Sequence, residues 1–312
     1  MQKRRRNVVW VVPVLLMTGC GGGGSSSPIA PTTTQEQAAP TVSAQSVCAV
    51  TATDATLPPT FTVVTIPEGD PLHGIFNTCM KTFGISHLAA AGYPNRNLKH
   101  VSTVTAEYLD NDENGSPDDS GVNMALQSNH ATFIHVSAAG GYDDWGDVRD
   151  LPQVGYIKEL TLMWAPNGSD YESVKGGTWC GSDCGQPGDG ETLEHVPELI
   201  QKAGYAYAYP SDFGSVQGTT LGLAMDTATE GGWFIPERGW PYEVSLVEYF
   251  FWGLAAELRM LGNVSPGVCD DIAGEWTLCT RSEFIATDTK LHALLRAARF
   301  NLPRKAPDGY YR

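Results

Sequence analysis

Glu243-Val244-Ser245-Leu246-Val247-Glu248-Tyr249-Phe250-Phe251-Trp252-Gly253-Leu254-Ala255-Ala256-Glu257-Leu258-Arg259-Met260-Leu261 reads as one long helix. Val247, Phe250, Leu254, Leu258 and Leu261 recur at helical spacing and make a continuous apolar stripe. Glu248 sits badly on the outside of such a helix. Its neighbours three and four residues away are Ser245, Val244, Phe251 and Trp252, so its carboxylate faces packed surroundings and needs a partner. An arginine, a backbone N–H or a metal ion would each serve.

Upstream, Glu191-Thr192-Leu193-Glu194-His195-Val196-Pro197-Glu198-Leu199-Ile200 places Leu193, Val196, Leu199 and Ile200 on one face if helical, and Glu191, Glu194, His195 and Glu198 on the other. Side chains at i and i+4 can clamp one ion, which is the principle of the His-Glu-x-x-His zinc helix. Here the ligand positions are held by Glu194 and Glu198, with His195 beside them. Glu248 then stands where a gluzincin-like protease has its third ligand. A solvated helix face is the competing reading. Pro197 opposes the ligand geometry, because a helix beginning only at Pro197 would lose the i, i+4 pair.

Further upstream, Leu98, Val101, Val104, Tyr108 and Leu109 predict a helix from about Asn97 to Leu109. It delivers the chain to Asp110-Asn111-Asp112-Glu113-Asn114-Gly115-Ser116-Pro117-Asp118-Asp119. Oxygen side chains at positions 1, 3, 5 and 9, with Gly at 6, match the first nine positions of an EF-hand calcium loop. Asp110, Asp112, Asn114 and Asp118 supply side chains, and Ser116 supplies its carbonyl. Pro117 at position 8 and Gly121 at position 12 depart from the pattern. The segment therefore resembles a shortened calcium loop, closed by Asp118, by Asp119 or by an acid from elsewhere, with calcium in a structural role. A second acidic run, Tyr142 to Asp150, fits no loop template and reads as an exposed turn.

The amino-terminal stretch resembles a lipoprotein signal peptide. Lys3, Arg4, Arg5 and Arg6 precede an apolar run from Val8 to Met17 that is too short to span a bilayer. Leu16-Met17-Thr18-Gly19-Cys20 resembles a lipobox, which implies acylation of Cys20. Residues 1–19 are thus expected to be removed, and residues 20–46, rich in Gly, Ser, Pro, Thr and Gln, to be a flexible tether of about 30 Å. Residues 47–312 form a single globular domain with no second linker or internal repeat. Gly21 after the cysteine places the protein, in a two-membrane bacterium, at the outer membrane, held through its lipid alone.

The whole chain carries a formal charge of −15. Cleavage would remove four positive charges and no negative ones, so the mature domain disfavours nucleic acid and favours cations or simple solubility. Cys48, Cys79, Cys180, Cys184, Cys269 and Cys279 remain as an even set in an oxidising compartment. Sequence neighbours suggest Cys48–Cys79, Cys180–Cys184 and Cys269–Cys279 among the fifteen connectivities. Tyr205, Tyr207 and Tyr209 alternate as a strand would present them. Strands are also expected near Thr132 to Val136 and Tyr156 to Met163, giving an α+β domain with a helix-rich C-terminal half. His130 and His135 lack a partner cluster and read as core or surface histidines.

Glu107 to Asp112 with Pro117-Asp118, Glu194 to Ile200, Gly204 to Pro210 with Phe213-Gly214, Glu248 to Trp252, and Leu302-Pro303 with Pro307-Asp308-Gly309 resemble blocks of a family of secreted or lipid-anchored bacterial proteins. The resemblance implies a zincin-like pair of helices, in which the position of Glu198 is often His; Glu198 departs from that. Two functions follow as expectations. One is a calcium-binding extracytoplasmic lipoprotein with metal-dependent hydrolase activity of protease type, using Zn2+ or another transition metal at Glu194, Glu198 and Glu248, with His195 and Glu194 as catalytic candidates. The other is a non-catalytic surface lipoprotein that recognises glycan or protein through tyrosines and tryptophans such as Trp233 and Trp240.

Overall fold

The computed structural model describes residues 46–136, 151–164, 191–261 and 272–312. Cys20 and its flanks, the Tyr142–Asp150 run, Cys180, Cys184 and Cys269 lie outside the described residues. Gln45–Arg312 form one compact unit. The fold is a single mixed α/β arrangement around a five-stranded sheet in the order β1-β2-β3-β4-β5. The strands are β1 (Val64–Thr65), β2 (Thr78–Thr82), β3 (Ile85–Ala89), β4 (Thr132–Val136) and β5 (Leu160–Trp164). The first two pairings are antiparallel and the last two parallel. Among the described residues no helix is long and apolar enough to cross a membrane.

The β2–β3 hairpin turns on Phe83-Gly84. Phe83 takes a left-handed φ of +48°, and a side chain at Gly84 would stand 2.6 Å from the Asn123 carbonyl. Gly84 N–H instead donates to Asn123 Oδ1 at 2.9 Å. β3 is buried along its whole length, so it carries Ile, Ser, His, Leu and Ala without a polar-out alternation. Its register sets His87 beside Phe133 and Ala89 beside His135, and alternation puts these four on one face. On the other face Leu88, Cys79, Ile134 and Val136 join Cys48, Ile66, Leu72, Phe76 and Val154 in a core layer of their own. The Cys48–Cys79 disulfide pins that layer to β2. Cys279 is also disulfide-bonded.

The helices are α1 (Asn95–Leu109), α2 (Ser120–Ser128), α3 (Glu191–Ile200), α4 (Ala206–Ala208), α5 (Pro210–Phe213), α6 (Thr220–Gly231), α7 (Tyr242–Glu257), α8 (Arg281–Thr287) and α9 (Thr289–Arg296). α1 begins at Asn95, two residues before its expected start and directly after Pro94, whose fixed φ and missing N–H suit the approach to a helix. α7 ends four residues early, where Arg259 turns to φ +62°. It is buried on nearly every side, including Glu257, whose carboxylate takes Arg281 at 2.7 Å and His292 at 3.0 Å.

One expectation is overturned. Tyr205, Tyr207 and Tyr209 do not lie on a strand: α3 runs directly into a π-helical turn, Gln201–Tyr205, and then into α4. A helix also puts residues two apart in different environments, and Tyr205 is buried while Tyr207 is exposed. The period-2 pattern was two small alanines between aromatics, which helix accommodates as readily as strand. The wide turn lets Gly204 lie where a side chain would meet Val122 Cγ1 at 2.8 Å, so α2 packs directly on this backbone.

Candidate metal centre

α3 is helical across Pro197, and so Glu194 and Glu198 keep the i, i+4 relation. Glu194, His195 and Glu198 each bring a ligand-type atom within 4.8 Å of the others. The face that carries them is not solvated: Glu194 is 4 %, His195 8 % and Glu198 0 % exposed. His195 Nδ1 lies 2.9 Å from Glu198 Oε2, a contact that orients the ring and leaves its Nε2 for other chemistry. α7 packs on α3, and its Glu248 is 1 % exposed. Glu194, His195 and Glu198 thus converge on α3, while Glu248 is buried on the neighbouring helix and does not join that group of ligand atoms.

Pro197 has no N–H to give the carbonyl of Leu193, its partner one helical turn back. The hydroxyl of Tyr108, in the last turn of α1, donates to that carbonyl at 3.2 Å. It also lies 3.9 Å from Met260 Sδ.

The acidic loop joins α1 to α2, so it has the helix–loop–helix setting of a calcium loop. Asp110 is fully buried; its Oδ1 accepts from Asn114 N–H at 3.1 Å and its Oδ2 from Gly115 N–H at 2.8 Å. Gly115, at loop position 6, has φ +87°. Asn114 Oδ1 takes the Ser116 N–H at 3.0 Å, and Asp118 Oδ2 takes the Asn111 N–H at 2.9 Å. Asp110, Asp112 and Asp118 hold ligand oxygens within 4.8 Å of one another. Burial, and then the charges of Asp112, Asp110 and Asp119, raise the Asp118 carboxyl. Asp119 has another task. It caps α2, accepting from Gly121 and Val122 N–H at 2.9 and 3.0 Å, and takes the Tyr209 hydroxyl at 2.6 Å.

A feature no local motif announces is the segment Arg304–Arg312, which lies along this loop. Asn111 Oδ1 takes the Arg304 and Lys305 N–H groups at 2.7 and 3.0 Å. Glu107 takes those of Asp308 and Gly309 at 2.8 and 2.9 Å. Tyr311 donates its hydroxyl to Asp110 Oδ2, and Arg312 N–H reaches Glu113 at 2.8 Å. Burial pushes the Glu107 carboxyl up to about 7. A carboxylate offers about four lone-pair positions. Gly115 and Tyr311 occupy two on Asp110 Oδ2 and Asn114 one on Oδ1, which leaves room for a single bond to an ion.

Sequence reasoning also missed a histidine pair in the sheet. His87 Nδ1 and His135 Nε2 are 3.3 Å apart, both rings fully buried, with Phe133 stacked on His87 and Tyr93 against His135. Trp233, a candidate for surface recognition, is half-buried and gives its indole N–H to Asp288 at 2.9 Å. No protein-family model, no curated protein and no solved structure matches this chain.

Proposed function

We propose that this is an extracytoplasmic, lipid-anchored protein, stabilised by calcium at the Asp110–Asp118 loop, with a metal-dependent hydrolytic centre of zincin-like type on α3 and α7. The observation that carries the hydrolytic reading is the convergence of Glu194, His195 and Glu198, buried and within 4.8 Å of one another. Glu194, Glu198 and Glu248 are the candidate ligands, and His195 is a ligand or proton carrier. The donor set is richer in oxygen than the two histidines of the zinc helix, which favours Mn2+ or Fe2+ beside Zn2+. A bound ion of this kind supplies Lewis acidity and lowers the pKa of water. Glu198 holds His195 Nδ1, so the other ring nitrogen is the one able to exchange a proton. His195 keeps 11 % of its side chain exposed. The rival, a non-catalytic surface binder, draws on the exposed Tyr207, Leu223 and Val216.

Metal analysis of the purified domain after chelation and repletion decides between them. A transition metal retained by the parent and lost on Glu248→Ala is the expected result. Calcium alone, with no transition metal under any repletion, refutes the hydrolytic reading.

A further inference from the structure

We propose that His87, His135 and Met80 form a binding site for a soft monovalent metal ion, Cu(I), between the sheet and α1 and apart from the acid–histidine turn of α3. His87 Nδ1 and His135 Nε2 stand 3.3 Å apart, long for a hydrogen bond. Two imidazole nitrogens on one ion, at bonds of about 2.0–2.1 Å, subtend roughly a tetrahedral angle at that separation. Burial holds both rings neutral, the form that ligates: the His87 ring falls to about 3 and that of His135 well below its ordinary range. As a purely structural contact the pair is costly. Only one proton lies between the rings, and the outer nitrogens, His87 Nε2 and His135 Nδ1, are buried with no partner among the described residues. Met80 is directly opposite His87 in the β2–β3 register and joins Ala89 in a buried cluster on the same face, so the Cβ atoms of Met80 and His87 are about 4.5–5.5 Å apart. Ser102 Oγ of α1 donates to Met80 Sδ at 3.7 Å, which places the thioether under the helix and leaves it a second lone pair.

The donor chemistry selects the ion. Imidazole with thioether suits Cu(I). Strands β2 to β5 carry no Asp or Glu, and the one acid of α1, Glu107, is occupied by the Asp308 and Gly309 N–H groups. A divalent ion would bury two charges there without an anion, whereas a monovalent ion buries one. Binding releases no proton overall: the ring that held the shared proton carries it on its outer nitrogen instead, and both inner lone pairs turn to the metal. His135 is the penultimate residue of β4, beside the carboxyl ends of the parallel strands, the edge at which open α/β sheets admit ligands.

Titration of the full chain with Cu(I), kept reduced by ascorbate and competing with a chromogenic Cu(I) chelator, tests this site independently of the hydrolytic centre. One Cu(I) per chain is expected, with copper-edge absorption showing two nitrogen ligands and one sulfur. The ring nitrogen resonances of His87 and His135 should shift and those of His195 should not. Met80→Leu, a volume-conserving change, should remove the sulfur and weaken Cu(I) by at least about tenfold, since even the outer partners of metal ligands are worth that much. A parent that retains no Cu(I) against the chelator, copper that shifts His195 in place of these two rings, or an affinity and sulfur signal indifferent to Met80→Leu would each overturn the proposal. If Met80→Leu does not fold, the ring resonances and absorption edge of the parent decide the matter alone.

Discussion

Acidification should unfold this protein through its buried histidines. Burial drives the His87 ring down to about 3 and the His100 ring to about 4. His135 is held well below its ordinary range, by burial and then by the neighbouring His87. The unfolded chain takes up these protons near pH 6.5, whereas the folded chain refuses them until about pH 3 to 4. Stability is therefore whole above pH 6.5 and falls as pH drops toward the folded values. At pH 4.5, two units below the unfolded value, each ring costs about 2.7 kcal/mol at 1.36 kcal/mol per unit, so His87 and His100 together cost about 5 kcal/mol. His135 adds a loss of the same sign. Glu107 opposes them: its folded pKa of about 7 lies above the ordinary 4.5, so it gains stability as pH falls through that interval. One acid contributes at most about 3 kcal/mol there, and the histidines prevail. The net loss is a large part of an ordinary total of about 5–15 kcal/mol. Urea midpoints between pH 7.5 and 4.5, alongside histidine ring resonances, measure it. A midpoint that stays level or rises on acidification, or a His87 ring that titrates above pH 5.5, refutes the reasoning.

Replacing both Cys48 and Cys79 by Ala should cost about 3–4 kcal/mol, from the chain entropy of a loop of this length; the separation is 31 residues, and a change below 1 kcal/mol in urea unfolding would count against that account. Gly253→Ala should destabilise by about 1–3 kcal/mol through overpacking, despite the better helix propensity of Ala. The new carbon would stand 2.1 Å from Leu291 Cδ2, and Leu291 is fully buried. A raised thermal midpoint would contradict this. Calcium should raise the thermal midpoint and a calcium chelator lower it, and Tyr311→Phe should weaken calcium about tenfold, because losing the hydrogen bond that orients Asp110 outweighs the lone pair it opens. A midpoint indifferent to both additions would remove calcium from the loop.

Legibility in the sequence followed the locality of the signal. α1 and α7 were readable because each repeats its apolar residues at helical spacing, β4 because it is a short run of β-branched and aromatic residues, and Glu248 was readable as a buried acid because its helical neighbours include aromatics. β2 and β3 were not: a strand buried on both faces has no alternation to display, and Ser86 and His87 lower its apolar count. The persistence of helix through Pro197 was undecidable locally, since a proline in a helical pattern reads as readily as the start of a helix. The His87–His135 contact escaped notice because it joins residues 48 apart across two strands. Asp119 was legible as an acid beside the loop, but its use as the cap of α2 depends on where that helix begins.

The span between the acidic loop and Arg304–Arg312 has a bearing on order of assembly. The contacts of Tyr311 with Asp110 and Gly309 with Glu107 bridge about 200 residues. A chain emerging from its amino end would have made the loop and both flanking helices long before the segment that fastens them arrived. Until then Asp110 and Glu107 would stand without these partners. Closure of the loop by its distant segment is thus a late event, and it reports that the intervening helices have already found their places.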